Sequence, residues 1–233
     1  MNLASISTAA ERFRKEFGRL DVLVQNAAIT KTSDDAQTPE EYVRAHRPSI
    51  ASLDEIRAVW DTNVFGVLAV YQAMVPILHD TPNSRIVNVS SAAGSLTLAS
   101  DPNSPMRSNF DATYAASKTA LNGLTLAMAI ELEADGINVN AVSPGYTKTK
   151  MNPGGTDTVE EGAAEAVRHR RFATATPDRI RQLGATVVSM CRISFVGAVG
   201  YYASPANLSD GSTKVRRRLA FSASFKSSRH WII

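Results

Sequence analysis

Residues 84–91 read SRIVNVSS, a short and nearly continuous apolar run that ends in two serines. A strand buried on both faces of a parallel sheet has this composition, because neighbouring elements cover it from either side. Similar runs occur at residues 20–24 (LDVLV) and at residues 137–149 (INVNAVSPGYTKT), where the run leads into a Pro-Gly turn. The sequence therefore predicts three buried strands.

Helical patterns alternate with these strands in the first half of the chain. An amphipathic helix is predicted from about Ser5 to Phe17, with Ser5 or Ser7 as its N-cap. A long helix is predicted to begin after Ser52, because Glu55 stands at its third position and the two residues form a capping-box pattern.

The second half continues the alternation. A helix over residues 111–134 is predicted to end before Gly136. Its apolar stripe consists of Leu121, Leu124, Ala127, Met128 and Leu132. Residues 158–168 are also predicted to be helical, and residues 30–50 to form a polar loop. Strands that alternate with long helices predict an α/β fold with a Rossmann-like, doubly wound parallel sheet.

In a sheet of this kind, ligands bind at the carboxyl ends of the strands. The segments that leave the three strands are rich in small and hydroxyl residues: QNAAIT (25–30), SSAAGS (90–95) and SPGYTKT (143–149). Taken singly, each is equally typical of an ordinary turn-forming loop. Together they predict the lining of a cleft.

Charge divides the chain into two unlike parts. Residues 1–167 hold 13 Lys and Arg against 20 Asp and Glu, a balance of −7, whereas residues 168–233 hold 12 against 2, a balance of +10. We therefore predict a Rossmann-like domain over residues 1–168 and an atypical basic, Ser/Arg-rich extension over residues 169–233 that is poorly packed.

Composition narrows the classes of function. The single cysteine, Cys191, excludes an internal disulfide framework and favours a reducing, cytoplasmic location. The apolar run at residues 185–204 contains Arg192, so no membrane span is predicted. The basic run at residues 216–218 is too short to predict a nucleic-acid partner. No spacing of His or Cys residues predicts a metal site.

The segment TYAASKTALNGL, residues 113–124, places Tyr114 and Lys118 four positions apart at the start of a predicted helix. The two side chains therefore share a helix face. A free tyrosine titrates near pH ~10, and both a neighbouring ammonium and a helix N-terminus favour its phenolate. Such pairs also arise by chance on solvated helices, so this spacing alone leaves both interpretations open.

Five ordered motifs carry a resemblance that the Tyr-Lys pair alone does not. Over about residues 5–167 they resemble the short-chain dehydrogenase/reductase family: QNAA (25–28), TNVFG (62–66), IVNVSSAAG (86–94), YAASK (114–118) and SPGYTKT (143–149). The 22 residues between Ser91 and Tyr114 resemble the carbonyl-reductase-like branch, as does GTDTVEEGAA at residues 155–164.

The resemblance implies hydride transfer between a nicotinamide cofactor and a carbonyl or alcohol carbon. A carbonyl oxygen that gains charge needs a proton donor and a hydrogen-bond donor. By resemblance, Tyr114 is the general acid, Ser91 bonds the substrate oxygen, and Lys118 bonds the nicotinamide ribose. Asn63 matches the residue that holds a proton-relay water, and a helical asparagine that satisfies a local backbone group is the alternative. Ser90 is the rival of Ser91.

The resemblance also implies the cofactor NADP(H), with NAD(H) as the alternative, and a small-molecule carbonyl or alcohol substrate. Asn26 would stabilise the central strands and Ala27 would pack near the adenosine ribose, although neighbouring Gln25 and Ala28 depart from the family pattern. The turn that embraces the nicotinamide carboxamide is matched by Pro144, Gly145, Thr147 and Thr149. A Pro-Gly pair is otherwise simply a tight turn. Oligomeric state is not predicted.

The glycine-rich phosphate loop of this family, G-x-x-x-G-x-G, does not occur in the sequence. Relative to the family, about three strands and two helices are missing before residue 1, so we expect an N-terminally truncated domain. A reading-frame change or gene-model fusion near His169 would explain why the resemblance ends there. Two functions are predicted: a carbonyl reductase, or a catalytically inactive fragment that at most binds other proteins.

Overall fold

Three parallel strands form the sheet in the computed structural model, which describes residues 2–33 and 38–168 of the 233-residue chain. The strands lie in the order β1-β2-β3, with bounds β1 Val22–Gln25, β2 Arg85–Val89 and β3 Asn138–Val142. Leu23 pairs with Ile86, which in turn pairs with Val139. All three predicted strands are therefore present, each within or close to its predicted range.

Seven α-helices connect and flank the strands within the described residues: α1 Leu3–Phe17, α2 Pro39–Ala45, α3 Leu53–Trp60, α4 Val67–His79, α5 Leu96–Ser100, α6 Tyr114–Glu131 and α7 Val159–Arg168. Strand and helix alternate from α1 through β1, α3, α4, β2, α6 and β3. This order and the parallel pairing confirm the α/β, Rossmann-like fold class.

The main core lies between one face of the sheet and helices α1, α4 and α6. Leu23, Ile86 and Val139 supply the sheet side of this core. The helices supply large apolar side chains that are almost fully buried: Phe13, Tyr71, Met74, Leu78, Leu121 and Met128. Burial of side chains of this size contributes about 1.5–3 kcal/mol each. The opposite face of the sheet carries a second cluster of valines, Val22, Val87 and Val142.

Two helix boundaries differ from the prediction. Helix α1 begins at Leu3 because the side chain of Asn2, rather than that of Ser5 or Ser7, accepts the capping hydrogen bond, at 3.1 Å from Ser5 N. Helix α6 begins at Tyr114 and not at residue 111. In its predicted apolar stripe, Ala127 is exposed, since the helix turns this position away from the sheet.

The predicted loop at residues 30–50 contains a helix that the sequence interpretation did not include. Thr38 and Glu41 form a capping box at the start of α2, with each side chain bonded to the backbone N–H of the other. Pro39 occupies the first helical position, where a missing N–H costs nothing. The prolines that suggested a loop are thus compatible with a short helix.

The predicted long helix after Ser52 is present but not uniform. Ser52 Oγ accepts a hydrogen bond from Glu55 N at 3.4 Å, which confirms the predicted cap. Residues Asp61–Gly66 then form a π-helical turn between α3 and α4. This turn holds Asn63 with no exposed surface, on the side that faces α6.

The run Leu53–His79 is also the one candidate membrane span, judged by length and composition, among the described residues. Its side chains Val67, Tyr71 and Met74 lie in the main core, so this is a core helix. The predictions for residues 169–233 and for the apolar run at residues 185–204 lie outside the described residues.

Candidate active site

The turn that follows the carboxyl end of β2 packs directly against α6. Ser91 leads into a 3₁₀ turn, Ala92–Gly94. A Cβ atom on Gly94 would lie 2.7 Å from Lys118 Cβ and from Lys118 C, a distance that real side chains do not adopt. The Gly94 carbonyl accepts hydrogen bonds from Thr119 Oγ1 at 3.0 Å and from Asn122 Nδ2 at 3.2 Å. Glycine therefore lets β2 and α6 approach closely enough for their side chains to meet.

Tyr114 and Ser91 meet at this junction. The Ser91 hydroxyl lies close enough to Tyr114 to act on its pKa, and both residues are partly buried. Burial raises the pKa of Tyr114 above its ordinary value, the hydrogen bond with Ser91 opposes the rise, and the charge of Asp111 adds to it. Tyr114 is thus a phenol with a raised pKa that lies beside a second hydroxyl, near the carboxyl end of β2.

Lys118 lies behind this pair, with its ammonium 5.7 Å from the centroid of the Tyr114 ring. The side chain is 2% exposed and its Nζ donates to the Val89 carbonyl at 2.8 Å. Burial lowers the pKa of Lys118 to about 8. The expected lowering of the Tyr114 pKa by this ammonium is wrong here, because burial of the phenol dominates.

Asn63 connects the π turn to the first turn of α6. Its side chain exchanges two hydrogen bonds with the backbone of Ile29, at 2.9 and 2.8 Å, and donates a third to Ser117 Oγ at 3.0 Å. Ser117 Oγ in turn donates to the Tyr114 carbonyl at 2.7 Å. The side chain of Asn63 therefore satisfies local backbone groups, as in the alternative interpretation, and its proton-relay role stays a prediction.

The structure distinguishes the two candidate serines. Ser90 is 5% exposed, and its hydroxyl donates to Asn122 Oδ1 at 2.6 Å in the interior. Ser91 instead acts on the pKa of Tyr114, and its Oγ accepts a hydrogen bond from Ala93 N at 3.2 Å. Only Ser91 of this pair is placed to contact a ligand beside Tyr114.

At the end of β1, Gln25 occupies the interior position that was predicted for Asn26. Gln25 is buried, and its Nε2 donates to Asn88 Oδ1 at 3.1 Å, while Asn88 Nδ2 donates to Thr125 Oγ1 at 2.9 Å. Gln25, not Asn26, therefore links the central strands to α6, which corrects the prediction. Asn26 and Ala27 are exposed and line a cavity of about 220 Å³.

The segment after β3 forms a closed loop around one acidic side chain. Gly145 has φ = +81°, a conformation that favours glycine. A Cβ atom at Gly145 would also lie 2.5 Å from the Asp157 carboxylate, which accepts a hydrogen bond from Tyr146 N at 2.9 Å. The hydroxyl of Thr147 donates to the Pro144 carbonyl at 2.9 Å.

The predicted threonines of this loop differ in exposure. Thr147 is half-buried, whereas Thr149 is exposed, and its Oγ1 accepts a hydrogen bond from Asn152 N at 3.2 Å. The structure places four residues together beyond β3: Pro144, Gly145, Thr147 and Thr149. They lie at the same edge of the sheet as Ser91 and Asn26, because the carboxyl ends of parallel strands meet at one edge.

Three residues that the sequence interpretation did not single out contribute to this region. Asp111 caps the first turn of α6, Asp157 closes the loop after β3, and Tyr42 lies near enough to Tyr114 for their charges to interact. The signal for Asp111 was present, since an aspartate just before a helix is a typical cap. Asp157 and Tyr42 act across long sequence separations and left no local signal.

The acidic, histidine and cysteine side chains of residues 2–33 and 38–168 do not gather in groups of three or more that could hold a metal ion. A serine, a tyrosine and a lysine come together where β2 of this Rossmann-like sheet ends.

The chain belongs to the short-chain dehydrogenase family, whose family model matches residues 1–160. A curated short-chain dehydrogenase of Penicillium roqueforti (anuI) is 34% identical over 169 residues, which cover 70% of this chain and 62% of that protein. The chain spans between 57% and 65% of the length of the first curated relatives that it matches.

Solved structures give the same assignment. Salutaridine reductase from Papaver somniferum is 28% identical with a TM-score of 0.58, and the match covers 76% of this chain and 77% of that one. The NADPH-bound carbonyl reductase from chicken fatty liver is 28% identical with a TM-score of 0.56, covering 72% and 65%. These likenesses support the predicted family and fold.

Proposed function

We propose that this protein reduces a carbonyl group of a small molecule to an alcohol, with NADP(H) as the cofactor and Tyr114 as the proton donor. The observation that carries the proposal is that Ser91 and Tyr114 come together at the carboxyl end of β2, where Ser91 acts on the pKa of Tyr114 and Lys118 lies 5.7 Å from the Tyr114 ring. Two hydroxyl donors that meet at one point can both bond to one carbonyl oxygen.

A bound NADPH would supply the hydride that adds to the carbonyl carbon. As the carbon–oxygen π bond breaks, its electron pair moves onto the oxygen, which then carries negative charge. Ser91 would stabilise this charge by donating its hydroxyl hydrogen, and Tyr114 would transfer its proton to the oxygen and become a phenolate. The product is an alcohol.

The electrostatics around Tyr114 suit the role of a general acid. Because burial raises the pKa of Tyr114, the residue is protonated at neutral pH and is ready to act as an acid. Lys118, the nearest cation, would attract the phenolate after proton transfer. We retain Asn63 as the candidate for the proton relay, since its bonds through Ser117 reach the first turn of α6.

Several of this chain's groups fit a nicotinamide dinucleotide. Asn26 and Ala27 are exposed beside a cavity at the end of β1, where the adenosine ribose would lie. Gly145 and Thr149 are exposed after β3, where Pro144 and Thr147 complete a turn suited to the carboxamide. Lys118 would bond the nicotinamide ribose. NADP(H) rather than NAD(H) is supported by the carbonyl reductase neighbour, whose structure contains NADPH.

The alternative is a catalytically inactive fragment that at most binds other proteins. It follows from the incomplete coverage of the relatives, and the test below separates it from the reductase. A cytoplasmic location is part of the same proposal, since the cofactor and the single cysteine both suit a reducing compartment.

The test is NADPH oxidation by the full chain with a panel of aldehydes and ketones, in wild type and Tyr114→Phe. The variant should lose about 10²- to 10⁴-fold in kcat, the usual contribution of general acid catalysis. Its affinity for NADPH should stay close to that of wild type, because the phenyl ring is retained.

Wild-type turnover in Tyr114→Phe would remove Tyr114 from the mechanism. A wild-type chain that neither turns over nor binds NADPH would support the inactive fragment instead.

A further inference from the structure

Asp111 lies three residues before Tyr114 and is 4% exposed. Its Oδ1 accepts hydrogen bonds from Thr113 N and from Tyr114 N, each at 2.7 Å, and its Oδ2 accepts one from Ala115 N at 3.3 Å. The first N–H groups of a helix have no partner within the helix. One buried carboxylate therefore satisfies three successive amides at the start of the 18-residue helix α6.

A second set of contacts holds this carboxylate in place. The Asp111 carbonyl accepts from Ala116 N at 3.2 Å, and the adjacent residue Ala112 donates its N–H to the His46 carbonyl at 3.1 Å. His46 follows helix α2, whose Tyr42 ring stacks on the His46 ring at 4.0 Å between centroids. The start of α6 is thus fixed both from its own first turn and from α2.

The charge of Asp111 also acts on the reacting hydroxyl. Its electrostatic interaction with Tyr114 disfavours the phenolate, in the same direction as burial. The other titratable groups around Tyr114 are Lys118 on α6 and Tyr42 on α2. The pKa of Tyr42 is itself raised by burial, by Asp111, by Tyr114 and by Glu55, so Tyr42 carries no charge beside Tyr114 at neutral pH.

We propose that Asp111 is a positioning residue for Tyr114: its buried carboxylate fixes the first turn of α6, and with it the backbone from which the Tyr114 side chain starts. This proposal rests on the proposed function for its catalytic meaning, since a protonated Tyr114 is the acid that carbonyl reduction requires. Its structural content, a carboxylate that caps and a charge that acts on a phenol, can be measured without turnover.

The test uses the full chain labelled with ¹³C at the tyrosine ring carbon that bears oxygen, with the Tyr114 resonance assigned by its loss in Tyr114→Phe. In Asp111→Asn, the titration midpoint of Tyr114 should move to lower pH, as expected for removal of one nearby negative charge. Asp135→Asn is the matched control, because Asp135 is an exposed aspartate just beyond the other end of α6.

Kinetics provide the functional arm of the same test. If the reductase proposal holds, the pH at which carbonyl reduction falls to half should move to lower pH in Asp111→Asn, while KM for NADPH stays within about twofold, since a pKa change alters the protonated fraction and not the cofactor contacts. A titration shift without any turnover would support the role of Asp111 and reject the proposed function. Turnover with an unshifted Tyr114 titration would support the proposed function and reject the role of Asp111.

A folded Asp111→Asn variant with an unchanged Tyr114 titration overturns the proposal. If that variant fails to fold, Asp111→Ser takes its place, because serine retains a neutral capping oxygen. If neither variant folds, amide hydrogen exchange of the wild-type chain tests whether Asp111 caps α6. Exchange at Tyr114 N–H and Ala115 N–H slowed by more than tenfold relative to exposed amides supports the cap, and unprotected exchange there rejects it.

Discussion

The two sides of the candidate active site are built differently. On the side of the reacting groups, Asn63 and Lys118 are almost fully buried, and Ser91 lies close enough to Tyr114 to act on its pKa. On the side expected to hold the cofactor, Asn26, Ala27, Gly145 and Thr149 are exposed, and the loop after β3 satisfies its own polar groups. The reacting groups are fixed by the fold, whereas the cofactor groups lie on open surfaces.

Close approach of backbones explains the rigid side. Gly94 lets the turn after β2 touch α6, so the positions of Ser91 and Tyr114 follow from the packing of a strand against a helix. The cofactor side depends instead on loops, which are held by local hydrogen bonds such as that from Tyr146 N to Asp157. We therefore expect substitutions on the side of the reacting groups to lower the stability of the fold. Substitutions on the cofactor side should instead lower the affinity for NADPH.

The largest effect on stability is expected for Asn63→Ala. The substitution leaves Ile29 N, Ile29 O and Ser117 Oγ without the partner that Asn63 provides in the interior. Since an unsatisfied buried polar group costs about 1–3 kcal/mol, the free energy of unfolding should fall by about 3 kcal/mol. Urea denaturation measures the change.

The matched control for Asn63→Ala is Asn109→Ala, the same chemical change at an exposed position in the turn before α6. Its free energy of unfolding should change by less than about 0.5 kcal/mol. Equal effects of the two variants would contradict the rigid description of the reacting side.

An intermediate effect is expected for Lys118→Met, and it depends on pH. The pKa of Lys118 is lowered from its ordinary 10.5 to about 8, so between these values the unfolded chain binds more protons than the folded chain. The free energy of unfolding of wild type should therefore rise from pH 8 to pH 10, by about 2 kcal/mol relative to Lys118→Met. Tyr114 has a raised pKa and acts in the opposite direction only above pH 10.

Urea titrations of wild type and Lys118→Met at a series of pH values test this difference. Parallel curves between pH 8 and pH 10 would show that the ammonium is not desolvated as the structure describes.

The smallest effect on stability is expected for Asn26→Ala, on the exposed side. The free energy of unfolding should change by less than about 0.5 kcal/mol, because the side chain is exposed. NADPH affinity should instead fall by about threefold to tenfold, the net contribution of one hydrogen bond. Gln25→Ala is the contrasting control, since Gln25 is bonded to Asn88 in the interior and its loss should reduce stability first. A large loss of stability in Asn26→Ala would contradict the description of Asn26 as exposed and of Gln25 as the residue bonded in the interior.

Much of the fold was predictable because its signals are local. The apolar run at residues 84–91 contains β2, the capping pattern of Ser52 and Glu55 marks the start of α3, and the spacing of Tyr114 and Lys118 places both on α6. Each of these depends on residues within one turn or one strand. The family motifs then supplied the identity of the reacting groups.

The remaining features depend on tertiary contacts that local patterns do not contain. The direction of the Tyr114 pKa follows from burial, and the Lys118 ammonium bonds to Val89 O, 29 residues away in sequence. The difference between Gln25 and Asn26 follows from the alternation of β1, which places Gln25 in the interior beside Asn88 of β2 and leaves Asn26 exposed. The π turn that presents Asn63 has no composition that marks it in advance.

Isothermal titration calorimetry of the full wild-type chain with NADPH tests the central claim most directly. It measures whether the exposed residues of the site bind the cofactor beside the buried reacting groups. The account predicts saturable binding in the micromolar range, weakened in Asn26→Ala and retained in Tyr114→Phe. Absence of binding at millimolar NADPH by a folded chain would contradict it.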